Sequence, residues 1–248
     1  MEFSSLFFIY VFLPLTAAIY FLIPGIRRKN VVLIAASLLF YAMGQPVYLL
    51  LLLGLSYVNY YFGTLLAEKN RKLLIIAVSV NLLALGLFKY LDFLLGIFGL
   101  HVEGGVLLTA LRTLTQSLNS LLGTSFRAPT TALPLGISFY TFQALSYLID
   151  IYRGKNRGAE RFSDFLLYIC MFPKMAQGPI VRYEQIAPQL TQRRTNPRMI
   201  FDGILRFATG LAKKVLLANA VGKLWDECLA AQGAGTLTAA AGWLGLVA

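Results

Sequence analysis

The sequence predicts an all-α, polytopic transmembrane helical bundle that mixes full spans with short, broken and re-entrant helices. Three observations predict it. The first is composition: of 248 residues, 58% are hydrophobic and only 13% charged, with a mean hydropathy of +0.68. Soluble domains rarely combine so much apolar content with so little charge. The second is that apolar runs long enough to cross a bilayer core of ~30 Å recur along the chain. The third is where the net charge of +11 sits. Arg27-Arg28-Lys29, Lys69 to Lys72, Arg153 to Arg161 and Arg193-Arg194 all fall between apolar runs, as in cytoplasmic loops. No soluble domain is present to shape a groove around nucleic acid, so membrane lipid is the expected partner of these charges. Cys170 and Cys228 lie far apart, with no spacing suited to a metal or a disulfide framework.

Taken in order, Leu6–Ile23 reads as a first span, rich in Phe and Tyr and retained rather than cleaved, since no basic leader precedes it. Val31–Met43 is apolar but short, and Gly44-Gln45-Pro46 separates it from the run Val47–Ala67. Together they predict a tight helical hairpin. Leu73–Phe88 continues through Lys89-Tyr90 to Gly99 as the next span. His101–Gly105 is a short polar loop, and Val106–Leu122 has helical spacing but carries Arg112, Gln116 and Asn119, which suits an interfacial helix. Pro129 and Pro134 bracket the entry to a further span that runs through Tyr152. Phe162–Met171 is too short to cross; Phe172-Pro173 breaks it and Gly178-Pro179 follows, so this segment is expected to be re-entrant or broken. Arg182–Pro197 reads as a polar connector. Beyond it, Arg198, Asp202 and Arg206 recur every four residues on a helix expected near the cytoplasmic surface. With the N-terminus outside the inner membrane, each basic cluster lands on the cytoplasmic side. The whole chain reads as one membrane domain, 1–248, whose last apolar run, Thr236–Ala248, is expected to be the start of a longer span.

The most informative stretch is Pro134–Arg153, PLGISFYTFQALSYLIDIYR. Gly136, Tyr140, Gln143, Tyr147 and Asp150 recur at steps of four and three and so share one helix face. Hydroxyl, amide and carboxylate groups at membrane depth are costly against lipid and are expected to face protein or a water-filled cavity. Two readings stand side by side. One is a helix–helix seam with polar groups as glue; the other is the wall of a substrate path.

These segments resemble the membrane-bound O-acyltransferase family, in the bacterial branch that acetylates alginate. The resemblance rests on MEFSSLFFIYVFLPL at 1–15, FKYLDF at 88–93, LPLGISFYTFQALSYLIDIYRGK at 133–155, FPKMAQGPIVRYEQI at 172–186 and GLAKKVLLANAV at 210–221. It runs through the chain in family order and covers an N-terminal portion. It implies tilted helices around a passage, an acyl donor such as acetyl-CoA used as a substrate from the cytoplasmic side, no bound cofactor or metal, and an exported polysaccharide or an extracytoplasmic acetyltransferase as partner outside. It also implies a catalytic histidine in a late helix, expected beyond residue 248; the only histidine here, His101, lies in a polar loop.

On this reading no catalytic residue lies in the chain. The substrate-channel candidates are Tyr140, Gln143, Tyr147, Asp150 and Arg153 on the polar stripe, with Pro173, Gly178, Pro179 and Arg182 in the broken segment. Arg153 is either an ion-pair partner of Asp150 or a phosphate contact at the cytoplasmic mouth. Lys89 is expected to pair with Asp92 and snorkel. Readings from other classes are a transporter or flippase of a lipid-linked or acyl substrate and a non-catalytic membrane scaffold.

Overall fold

The computed structural model describes residues 3–98, 105–123, 133–175, 178–236 and 238–247. These are helical throughout, with no strand among them. The expected all-α membrane bundle is the fold observed. Contacts divide the chain into two compact units, one of Pro14–Arg193 and one of residues 2–13 and 194–248.

The π-helical stretch Phe8–Phe12, in which the Leu13 N–H reaches back five residues to the Phe8 carbonyl, belongs to the second unit, and α1 (Leu13–Leu22) continues from it into the first. Pro14 has no N–H to offer Tyr10 and its ring crowds that turn, which accounts for the wider winding just before it. α2 (Ile26–Gly44) begins earlier than its apolar run, because Arg27-Arg28-Lys29 is drawn into its first turn. After a single-residue break at Gln45 comes α3 (Pro46–Leu65), with Pro46 at the first helical position, where its missing N–H costs nothing. A 3₁₀ turn, Leu66–Glu68, and Lys69 in the left-handed region end it. The Asn70 side chain then accepts from the N–H groups of Lys72 and Leu73 and caps α4 (Arg71–Ile97).

α4 is 27 residues long, about 40 Å at the helical rise, and α3 with its 3₁₀ extension has 23. Both are long and apolar enough to cross a bilayer. Only 28% and 17% of their most apolar stretches are buried. The core helix of a soluble protein would be mostly buried; these turn broad leucine-rich faces outward, as lipid contact requires.

Between α3 and α4 the polar groups turn inward. Asn59 donates to Asn81 at 3.0 Å and Asn81 returns the bond at 2.6 Å. Each amide also donates to its own helix, Asn59 to the Leu55 carbonyl and Asn81 to that of Ala77. The amides are thereby satisfied without water, which a membrane interior demands.

The expected Lys89–Asp92 pair does not form. Asp92 instead accepts the Val106 N–H at 3.1 Å and caps the start of α5 (Val106–Leu122), while the Lys89 ammonium stands over the Tyr90 ring at 5.2 Å. A free helix N-terminus holds a carboxylate better than a neighbouring snorkelled lysine does. α5 carries its polar residues along one side, as expected of an amphipathic helix.

α6 (Ile137–Tyr152) starts after Gly136, which adopts a left-handed conformation at the N-cap. Its entry is tied to the α2–α3 turn: Gln45 Oε1 accepts the Leu135 N–H at 2.7 Å. α7 (Phe162–Cys170) and α8 (Phe172–Met175) form the broken segment, interrupted at Met171. Ser37 of α2 accepts the Phe172 N–H at 3.0 Å while donating to the Leu33 carbonyl, so the interruption is bonded to protein. The stretch expected as a polar connector contains a helix, α9 (Tyr183–Thr191), with Pro188 within it. Its apolar side, Tyr183 and Leu190, is buried; tertiary packing overrides a polar composition here. Asn30 donates to the Leu190 carbonyl and accepts from Arg193, which also donates to the Tyr20 hydroxyl. This three-residue clasp closes α9 onto α1 and α2.

The second unit contains α10 (Pro197–Ala212), which runs without a break through a π-helical stretch, Lys213–Ala218, into α11 (Asn219–Gly233). α12 (Ala239–Val247) returns against α11, where Gly245 meets Cys228 and Trp225. Lys214 donates to the Ser4 hydroxyl at 3.2 Å.

Asn81→Leu is expected to strand the Asn59 amide and to lower stability by about 1–2 kcal/mol. The Asn59→Leu/Asn81→Leu pair is expected to recover part of that loss; unfolding in detergent, followed by helical circular dichroism, measures both.

Candidate functional site

α6 positions the site. Tyr140, Gln143, Tyr147 and Asp150 are all at least 96% buried, so the polar stripe predicted from spacing turns away from lipid and into protein. α6 packs against α3, α4, α7 and α9. Arg153, just past the end of α6, is exposed, and the carboxylate of Asp150 stays inside without an ion pair to it. The side chain at 153 lies beyond the helix, at the surface, where its charge is hydrated.

Tyr147 is the most enclosed member of the stripe. Its ring meets Phe165 at 4.5 Å and Tyr183 at 5.2 Å, and its hydroxyl accepts the Ala159 N–H at 2.9 Å. Gly63 on α3 makes room for it: a Cβ there would lie 2.6 Å from the ring. Gly158, in the left-handed region at φ 82°, passes just above the hydroxyl. Tyr147 thus anchors the basic loop 154–161 to the helix core, with Tyr60 donating to the Glu160 carbonyl as a second tie.

Tyr168, on α7, is a residue that sequence spacing did not single out. Its hydroxyl donates to the Val181 carbonyl at 2.9 Å and lies 3.4 Å from that of Gln143. The ammonium of Lys174 stands 4.1 Å from the centre of the Tyr168 ring, buried at 7% exposure and without a hydrogen-bond partner. The ring face supplies the electrostatic contact that a buried cation needs. Gln143 Oε1 and Asp150 Oδ2 are likewise buried without partners, as are the hydroxyls of Tyr140 and Thr141. Gly178 packs on the backbone of Lys174 so closely that any Cβ would collide. Pro173, Pro179 and Arg182 are exposed, with Arg182 immediately before the first residue of α9 and its side chain making no capping bond. The candidates therefore separate into a buried group on α6 and a surface group around the break.

A cavity of about 350 Å³ opens between loop 156–160 and α9, walled by Asn156, Arg157, Glu160, Asp164, Tyr183 and Glu184 among others. Arg153 is not among its walls. Three carboxylates face one guanidinium. Burial raises the pKa of Asp164 above its usual 3.8; Glu160 adds to the rise, and Arg161 and Arg27 oppose it. Burial raises Tyr183 as well. His101 lies outside the described residues, and no cluster of metal-ligating side chains occurs among those described.

The class of protein is thus an all-α membrane bundle with a polar face enclosed behind its spans. Its relatives make the class specific. Along its whole length the chain is 33% identical to a probable alginate O-acetylase AlgI of Pseudomonas aeruginosa and 31% identical to that of Pseudomonas syringae pv. tomato. Over 88% of its length it is 29% identical to the peptidoglycan O-acetyltransferase of Helicobacter pylori. The chain is a homologue of these acetyltransferases, and the resemblance read from its motifs holds from end to end. It spans about half the length of the curated relatives it matches, 44–45% of these three. No family model matches it, and no solved structure does.

Two outcomes follow. Tyr147→Phe is expected to release the Ala159 N–H, to cost about 1 kcal/mol and to speed tryptic cleavage in loop 154–161, scored by peptide mapping. Asp164 binds its proton more tightly folded than unfolded, so its contribution to stability is full below pH 3.8 and lost as pH rises through the folded pKa. Asp164→Asn is therefore expected to raise the thermal midpoint relative to the parent increasingly from acid toward neutral pH.

Proposed function

We propose that this chain forms part of a membrane O-acyltransferase that moves an acetyl group from a cytoplasmic donor, acetyl-CoA or a similar thioester, onto an exported polysaccharide such as alginate. One observation carries the reading: similarity to acetyltransferases extends over the full chain, and its most specific segment is the helix whose polar face is buried with open hydrogen-bonding atoms. Tyr140, Gln143 and Asp150 are assigned to the wall of the acyl passage, with Tyr147 holding the loop at its cytoplasmic end. Arg153, Arg182 and the exposed prolines around the break form the donor-facing surface. The histidine that would activate the acceptor hydroxyl, or a nucleophile on an extracytoplasmic partner, is assigned to sequence outside these 248 residues. His101 has no part in the chemistry.

A second acceptor has its own support, the peptidoglycan acetyltransferase among the relatives. Both acceptors are glycans outside the cytoplasmic membrane, so the donor side of the proposal is the same for each. The test uses labelled acetyl-CoA and membranes carrying either the 248-residue chain or the longer gene product containing it. Label is expected in polysaccharide only with the longer product. In that product Gln143→Leu is expected to cut transfer at least about tenfold, the ordinary scale for a lost substrate-orienting contact, at unchanged protein level, and His101→Ala to leave it unaltered. Turnover by the 248-residue chain, or full activity of Gln143→Leu, would overturn the assignment.

A further inference from the structure

α10 has a sharply divided surface. Arg198, Asp202, Arg206, Thr209 and, one step beyond the helix, Lys213 recur at steps of four, four, three and four, one side of a helix. Ile200, Ile204, Phe207 and Leu211 recur at four, three and four on the other, with Phe201 at its edge. None of the sixteen residues of α10 is buried; Phe201 and Ile204 are 66% and 62% exposed. So long an apolar side is not left to water. A span is a poor home for it, because two arginines and an aspartate would enter hydrocarbon. Three cations stand against one carboxylate on the polar side, and their long stems let the charges rise beside a buried apolar face.

We propose that α10 lies in the membrane–water interface with Ile200, Ile204 and Phe207 in the acyl region and Phe201 at its edge, and that Arg198, Arg206 and Lys213 bind the phosphates of anionic phospholipids. Guanidinium groups pair with phosphate oxygens in two-pronged fashion, and a basic amphipathic helix with Phe and Leu on its other face is the form that binds this surface. This inference is independent of the acyl-transfer reading.

The chain has two tryptophans, Trp225 and Trp243, so a single reporter is easily installed. The full chain carrying Trp225→Phe, Trp243→Phe and Phe201→Trp is reconstituted in vesicles of phosphatidylcholine and phosphatidylglycerol. Lipids brominated close to the headgroup are expected to quench the reporter several-fold more than lipids brominated near the chain end. Spin-labelled phosphatidylglycerol is expected to quench at least about twofold better than spin-labelled phosphatidylcholine at low salt, the preference fading at high salt as screening predicts. Arg198→Gln/Arg206→Gln/Lys213→Gln, with circular dichroism unchanged, is expected to abolish that preference and keep the depth. Stronger quenching from the chain end would mean a span. Loss of quenching by all lipids would mean that protein or a second copy covers the face. Equal quenching by both headgroups would mean no selectivity. Each of these three results overturns the proposal.

Discussion

In a bilayer a hydrogen-bonding side chain has only other protein groups and enclosed water to bond with, and the architecture here follows from that constraint. The long helices turn leucine outward and asparagine inward, and the reciprocal Asn59–Asn81 bonds consume the amide groups that lipid would leave unpaired. The same constraint brings Ser37 to the interruption at Met171, where a backbone N–H would otherwise be stranded. It also buries the polar side of α6. There the demand is only partly met: Gln143, Asp150, Tyr140 and Lys174 keep buried atoms open. The asparagine pair is closed, whereas buried atoms without a protein partner occur on α6 and also at Ser56 of α3 and Tyr41 of α2.

Much of this was legible from residue order. The steps of four and three from Tyr140 to Asp150 define the buried face because a helix in lipid obeys its own period with few competing forces. The hairpin at Gly44-Gln45-Pro46 and a break beside Pro173, which falls at Met171 just before the expected Phe172-Pro173, were legible because proline and glycine act locally. Tyr168 and Lys174 were not. Their importance arises from a meeting of α6, α7 and α8 that no local pattern encodes, and a lone lysine beside a proline looks like any loop charge. α9 was hidden for a related reason: its sequence is polar, and only Tyr183 and Leu190, seven residues apart on one side, reveal what packing completes. Asp92 shows local reasoning misled by proximity. The nearest opposite charge, three residues away, loses to a helix start that chain distance concealed.

The cavity beside loop 156–160 is lined by more acid than base. The charged residues that wall this hollow are Glu160, Asp164 and Glu184 with Arg157 alone, although the chain as a whole carries a net charge of +11.

The mutual grip of the two asparagines also bears on how the chain is built. Sliding α4 along α3 by one residue, about 1.5 Å, would pull both bonds out of reach while leaving leucine contacts almost indifferent. The pair therefore acts as a vernier for two otherwise slippery cylinders. Because α3 and α4 are neighbours in the chain, that alignment is available as soon as α4 emerges from the ribosome, giving α6 a finished groove to enter when it is synthesised some forty residues later.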